Sequence, residues 1–226
     1  MQIKYCLPII KNTKNEILEA IHANINDYHY FEVWVDYVND LNNKFVEELR
    51  EFLDEKLIIV FRRQNLETIH LELDKRLKII DMLDEAQSLI DLDVLTQEDE
   101  LNHIRDHKLE INTIVSYHNY QMTPEDNILK EIIDTMDEYK PAVYKIATMC
   151  TNHKDAIRLL QLLTELKERN SKYILLGMGE FGVATRIFGT LWGNEMIFAP
   201  KVLTEQSAPG QLTKDQLEII FNELKG

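Results

Sequence analysis

Cysteine is scarce: Cys6 and Cys150 are the only two in the chain. Two such thiols cannot make a disulfide scaffold, and they show no metal-ligand spacing. None of the seven histidines falls in an HExxH or comparable pattern, so no metal is expected. Long apolar runs are also missing. The N-terminal run Cys6–Ile10 is too short for a signal-peptide core or a membrane span. The expected setting is therefore a reducing cytoplasm. Positive charge is in short supply, with 25 Lys and Arg against 39 Asp and Glu and a net charge of −14. A surface that acidic repels phosphates and anionic lipid, so neither nucleic acid nor membrane is an expected partner. Any site for an anionic small molecule must gather its own arginines. There is no linker, low-complexity tract or composition shift, so residues 1–226 read as a single domain.

Short apolar β-type runs alternate with longer amphipathic stretches. The expected strands are Lys4–Ile9, Phe31–Val35, Leu57–Phe61, Ser88–Leu92, Thr113–Tyr117, Ala142–Ala147, Tyr173–Gly177 and Glu195–Phe198. Helical periodicity lies between them, over Asn42–Leu53, His70–Leu83, Glu98–His107, Pro124–Met136, Lys154–Glu168, Glu180–Leu191 and Thr213–Leu224, with a first helix around Asn15–His22. Thr123, Pro124 and Asp126 mark a helix start by capping chemistry. Strands apolar at consecutive positions, such as Leu57–Phe61, suit a parallel sheet covered on both faces. Eight such units predict an α/β fold, a single (β/α)8 TIM barrel. A flavodoxin-like open sheet is the alternative, but it needs fewer units.

A barrel places function where strands end. The polar residues at those ends are Glu32 and Asp36, Arg62, Asp91 and Asp93, Ser116 and His118, Lys145, and a late segment holding Ser207 and Gln211. Lys145 lies inside the apolar run Ala142–Ala147, and alternation puts it on one face with Val143 and Ala147. Burial would lower its pKa and free an amine to attack a ketone. The bland alternative is an edge-strand lysine reaching solvent. His118 ends the preceding strand, within reach of the same small substrate, and an imidazole suits a proton shuttle. Its alternative is a hydrogen-bonded loop histidine. Arg62 and Arg186 are the candidate anion anchors. Arg63 is read as solvated or ion-paired.

Ser116-Tyr117-His118-Asn119-Tyr120 with Thr123-Pro124 resembles the SxHDF…TP segment of type I 3-dehydroquinate dehydratases. Tyr144-Lys145-Ile146-Ala147 resembles the lysine strand of that family, and Met178-Gly179…Gly182…Arg186 its MGxxGxxSR segment. Ser207-Ala208-Pro209-Gly210-Gln211 matches its SAPGQ loop. The resemblance implies a cofactor-free lyase of the shikimate route to aromatic compounds, which converts 3-dehydroquinate to 3-dehydroshikimate by syn elimination of water. Lys145 would form the imine, and His118 would act as general base and then general acid. Arg186, Ser207 and Gln211 would hold the carboxylate and ring hydroxyls, Arg62 and Glu32 would contact hydroxyls, and Met178 and Phe198 would wall the ring. A homodimer is the assembly it implies.

Two departures fall in the recognition shell. Trp34 stands where the family carries an arginine, and it cannot supply the same bidentate donors, so a hydroxyl contact is lost or supplied from elsewhere, with Arg63 as the candidate. Leu66 stands where the family carries the glutamate that orients the histidine, and Glu67 or Glu32 is expected to take over. Asn119, Thr185 and Asn194 are milder changes. An impaired or non-catalytic binding homologue, or an imine-forming aldolase acting on another hydroxylated keto acid, are the alternative readings.

Overall fold

A computed structural model describes residues 2–63, 68 and 71–225 of the chain. Eight parallel strands and eight α-helices alternate along the described residues. They are β1 (Tyr5–Ile9), α1 (Lys14–Asn24), β2 (Tyr30–Trp34), α2 (Asn43–Leu53), β3 (Leu57–Val60), α3 (Leu73–Asp81), β4 (Leu89–Asp93) and α4 (Glu98–His107), then β5 (Asn112–Asn119), α5 (Asp126–Asp137), β6 (Val143–Met149), α6 (His153–Lys167), β7 (Tyr173–Met178), α7 (Val183–Trp192), β8 (Ile197–Phe198) and α8 (Lys214–Lys225). The sheet order is β7-β6-β5-β4-β3-β2-β1-β8, which is the (β/α)8 barrel expected from the alternation.

The last seam, between β7 and β8, is closed largely by one side chain. Asn194 Oδ1 accepts from Leu175 N at 2.8 Å, and its Nδ2 donates to Leu175 O at 3.1 Å. The side-chain amide thus stands in for a peptide unit, and Glu195 N adds a bond to Tyr173 O at 2.8 Å. This substitution explains why β8 begins two residues later than the sequence suggests.

Period-two alternation sorts the strand residues into two cores. Outward side chains such as Phe31, Val33, Leu57 and Ile59 pack under the helices. Inward ones, including Cys6, Ile58, Leu89, Ile114, Val143 and Ile174, fill the barrel floor. Outer faces are mainly apolar, and above the floor the inward positions turn polar, with Glu32 on β2, Asp91 on β4, Ser116 on β5 and Lys145 on β6.

Helix starts follow local chemistry where tertiary bonds do not compete. Thr13 and Glu16 form a reciprocal capping box at α1, a Thr-x-x-Glu signal visible in the sequence. Thr123 does not cap α5, contrary to expectation. Its hydroxyl instead contacts Thr148 Oγ1 at 2.9 Å and donates to Met149 O at 3.0 Å, and the helix begins at Asp126. A buried hydroxyl tied to the neighbouring strand end is unavailable to the first helical turn.

Candidate active site

Lys145 lies in the middle of β6, between β5 and β7, and is buried at 5% exposure. The edge-strand alternative is therefore excluded. Its Nζ donates to Asp91 Oδ2 at 2.5 Å and to Glu32 Oε1 at 3.4 Å, and lies 4.3 Å from the centre of the Phe198 ring. Burial alone would lower the lysine pKa, but the Asp91 and Glu32 carboxylates outweigh it and hold the value above the ordinary one. The expectation of a neutral amine is corrected: with the cavity closed, Lys145 is an ammonium ion. The sequence argument considered desolvation and lacked the paired anions.

The two carboxylates are themselves held. Asp91 Oδ1 accepts from Ser116 Oγ at 2.6 Å and lies 3.7 Å from Arg63 Nη2. Although burial opposes ionisation, Lys145 and Arg63 keep Asp91 well below the usual carboxylate range. Glu32 Oε2 accepts from Trp34 Nε1 at 3.1 Å. Trp34 thus spends its single donor on Glu32 rather than facing the cavity with a cation.

His118 stands one pleat above Lys145 on the adjacent strand, because Ser116 pairs with Lys145 and His118 with Ala147. Its Nδ1 lies 3.0 Å from Asp93 Oδ2. Burial first, and then the Arg63 charge, lower its pKa to about 4 against the opposing pull of Asp93. His118 is accordingly neutral at pH 7, the state a general base requires. Glu32 does not reach it. Leu66 and Glu67 lie outside the described residues.

Arg186, on α7, is buried at 1% exposure. Its Nη2 donates to Pro209 O at 3.3 Å, while Nε and Nη1 have no partner. Burial lowers its pKa to about 10. A guanidinium this deep with two idle donors could give two hydrogen bonds to an anion. Ser207 and Gln211 flank it and bind each other: Ser207 N donates to Gln211 Oε1 at 2.9 Å, and Gln211 Nε2 to Ser207 Oγ at 3.0 Å. Their loop is pressed onto the turn after β7 through Gly210, which has φ +80° and where an added Cβ would lie 2.5 Å from Gly179 O.

One cavity of about 40 Å³ at the carboxyl end of the barrel is lined by Lys145, His118, Glu32, Arg186, Ser207, Gln211, Met178 and Phe198 together. Arg63, Trp34 and Tyr120 complete its wall. Arg62 is the exception among the expected residues. Its Nε and its backbone N–H both donate to Asp36 Oδ2, at 3.0 and 2.9 Å, and its guanidinium stacks 4.0 Å from the Tyr37 ring. The strand pairing stops at Val60, so alternation no longer governs the next three residues. Arg63, read as bland, is the arginine that turns inward.

The sequence reading left Asp91 and Asp93 without roles; of its two readings of Arg63, solvated or ion-paired, the fold shows the ion pair, to Asp91 inside the barrel. The two acids carried a readable signal. In Leu89-Ile90-Asp91-Leu92-Asp93 they share the face of Leu89, so two carboxylates had to enter the barrel beside the lysine.

Residues 5–226 match the family model for type I 3-dehydroquinase. The chain belongs to the type I 3-dehydroquinase family. Among curated type I 3-dehydroquinase relatives, the 3-dehydroquinate dehydratase of Coxiella burnetii strain CbuK_Q154 is 27% identical over 213 residues, covering 92% of this chain and 88% of that protein. That of Methanothermobacter thermautotrophicus is 26% identical over 227 residues, covering 99% and 98%. The solved type I 3-dehydroquinate dehydratase of Clostridium difficile, with covalently modified comenic acid, superposes with a TM-score of 0.82 at 25% identity, covering 99% of this chain and 92% of that one. The 3-dehydroquinate dehydratase of Geobacillus kaustophilus HTA426 shares the fold at a TM-score of 0.83 and 21% identity, covering 100% and 92%.

Proposed function

We propose that this type I 3-dehydroquinase dehydrates 3-dehydroquinate to 3-dehydroshikimate through an imine on Lys145, with syn elimination of water assisted by His118. One observation carries the reading. A buried lysine, a neutral histidine and a buried arginine with idle donors line one cavity, the first two on adjacent strands.

The chemistry follows from the atoms present. The Lys145 amine, once deprotonated, adds to the substrate ketone, and water leaves to give an iminium. That cation withdraws electrons from the adjacent carbon, whose proton would otherwise be hard to remove. His118 Nε2 takes this proton, the C–H bonding pair forms the carbon–carbon double bond of an enamine, and the π pair of the iminium returns to nitrogen. The enamine then expels the neighbouring hydroxyl, which leaves as water with the proton His118 returns. Hydrolysis of the product iminium frees Lys145. One histidine serves both steps because proton and hydroxyl depart from the same face. Arg186 supplies two donors for the substrate carboxylate, and Glu32, Ser207 and Gln211 supply hydroxyl partners.

A reducing cytoplasm and a homodimer belong to the same reading. Two buried free thiols support the first. The half-exposed pair Phe188 and Trp192 on α7, with ring centroids 5.7 Å apart, supports the second.

Borohydride reduction in the presence of 3-dehydroquinate tests the mechanism. A mass increase on the Lys145 peptide is expected, absent in Lys145→Ala. His118→Ala should keep the adduct while kcat falls roughly 10²–10⁴-fold. Full turnover by Lys145→Ala would overturn the mechanism. A Lys145 adduct without any turnover would identify a binding homologue instead.

A further inference from the structure

We propose that Asp93 is a positioning residue that fixes the tautomer of His118, so that Nε2 is the basic nitrogen presented to the cavity. The inference rests on the function proposed above and extends it to a residue outside the expected set. Asp93 closes β4 on the inward face, and its carboxylate is saturated with donors. Oδ2 receives His118 N at 2.9 Å and faces His118 Nδ1 at 3.0 Å. Oδ1 accepts from Leu95 N and Thr96 N, both at 3.1 Å, and from Thr96 Oγ1 at 3.0 Å. The Asp93 backbone is anchored in turn, with its N–H donating to Gln97 Oε1 at 2.9 Å and its carbonyl accepting from Gln97 N at 2.9 Å. The carboxylate therefore cannot swing away from the ring.

The tautomer follows from donor and acceptor counting. A carboxylate surrounded by donors stays ionised and can only accept. Contact at 3.0 Å then requires the proton on Nδ1. In the neutral ring the lone pair belongs to Nε2, across the imidazole from Asp93. The carboxylate also faces the imidazolium that forms when Nε2 takes a proton, and so stabilises it as charge develops. Among the described residues the other charges facing the ring are Arg63 beyond β3, Asp91 on β4 and Lys145 on β6, with the Tyr120 ring centred 6.3 Å away.

The test combines spectroscopy with kinetics on the full chain. In the wild type at pH 7, ¹⁵N-detected spectra, with His118 assigned by its loss in His118→Gln, should show a protonated Nδ1 and an unprotonated Nε2. A protonated Nε2 would overturn the proposal whether or not any Asp93 variant folds. Asp93→Asn should lower kcat roughly 10²–10⁴-fold with little change in KM. It should also move the acid limb of kcat/KM to lower pH, because the charge that raises the imidazole pKa is gone. A limb that stays in place with kcat intact would reduce Asp93 to a loop anchor and overturn the assignment. Borohydride trapping on Lys145 should persist in Asp93→Asn. If trapping fails in the wild type, it is the enzymatic reading that fails, and the tautomer result still stands on its own.

Discussion

Lys145 Nζ donates to Asp91 Oδ2 across 2.5 Å inside the barrel, and this pairing holds the lysine charged until a ligand arrives. The amine that the proposed mechanism uses as its nucleophile is stored as an ion pair. Glu32 provides a second, longer contact at 3.4 Å. Lys145 and Arg63 both face Asp91, and such pairing keeps buried ions charged where an isolated one would be lost by proton transfer.

Asp91→Asn should destabilise the protein by about 3–5 kcal/mol, the usual effect of removing one partner of a buried pair. Lys145 is raised above 10.5, so its contribution is complete below that value and is lost as pH rises through the higher folded value. Asp91 is depressed below 3.8, so its contribution is complete above that value and is lost as pH falls through the folded one. The pair should therefore contribute fully to the wild type from about pH 4 to about pH 10, and the gap to the variant should narrow as pH rises and the unpaired Lys145 loses its proton. Urea unfolding of both proteins across that range measures it. A gap that widens with rising pH would contradict the pairing. With its main counter-ion removed, Lys145 should also become trappable by borohydride at lower pH than in the wild type.

His118 predicts a separate acid sensitivity. Its pKa falls from 6.5 in the unfolded chain to about 4 in the fold, chiefly through burial. The unfolded chain then binds more protons between those values, so stability rises with pH there. The contribution is complete above pH 6.5 and is lost as pH falls toward 4. It amounts to about 3 kcal/mol. His118→Gln should flatten the stability profile in that window, as read by denaturant midpoints at a series of pH values. An unchanged slope would mean that His118 titrates normally.

Arg186 is expected to show opposite effects on stability and on activity. Two of its buried nitrogens have no partner in the closed cavity. Arg186→Met should raise stability by about 1–3 kcal/mol, the cost of unsatisfied buried groups. It should lower kcat/KM by roughly 10²-fold or more, since loss of a buried charge partner costs a ligand about 2–5 kcal/mol. Thermal unfolding and steady-state kinetics on the same preparation give both readings. A variant that is less stable and fully active would remove Arg186 from the site.

The alternation of short apolar strands with amphipathic helices was legible, because period-two and period-3.6 patterns are written residue by residue. Glu98–His107 is read from sequence with the bounds it has in the fold. Lys145 and His118 were legible for the same reason, as polar residues at inward positions of apolar strands. No helix among the described residues is long and apolar enough to cross a membrane, and that too is a property of local composition.

What lay beyond the local pattern is what depends on neighbours distant in the chain. Arg62 and Arg63 are adjacent in sequence, and their opposite fates were decided by Asp36, in the turn after β2, and by Asp91, on β4. Thr123 gave up a helix cap for a bond to β6. The charge on Lys145 depends on carboxylates from β4 and β2, 54 and 113 residues away. Strand periodicity says which way a side chain points, and the sequence alone supplied that. Protonation and pairing depend on which charges meet across the barrel, because Coulomb and desolvation energies are set by distance in space, and only the closed fold decides them.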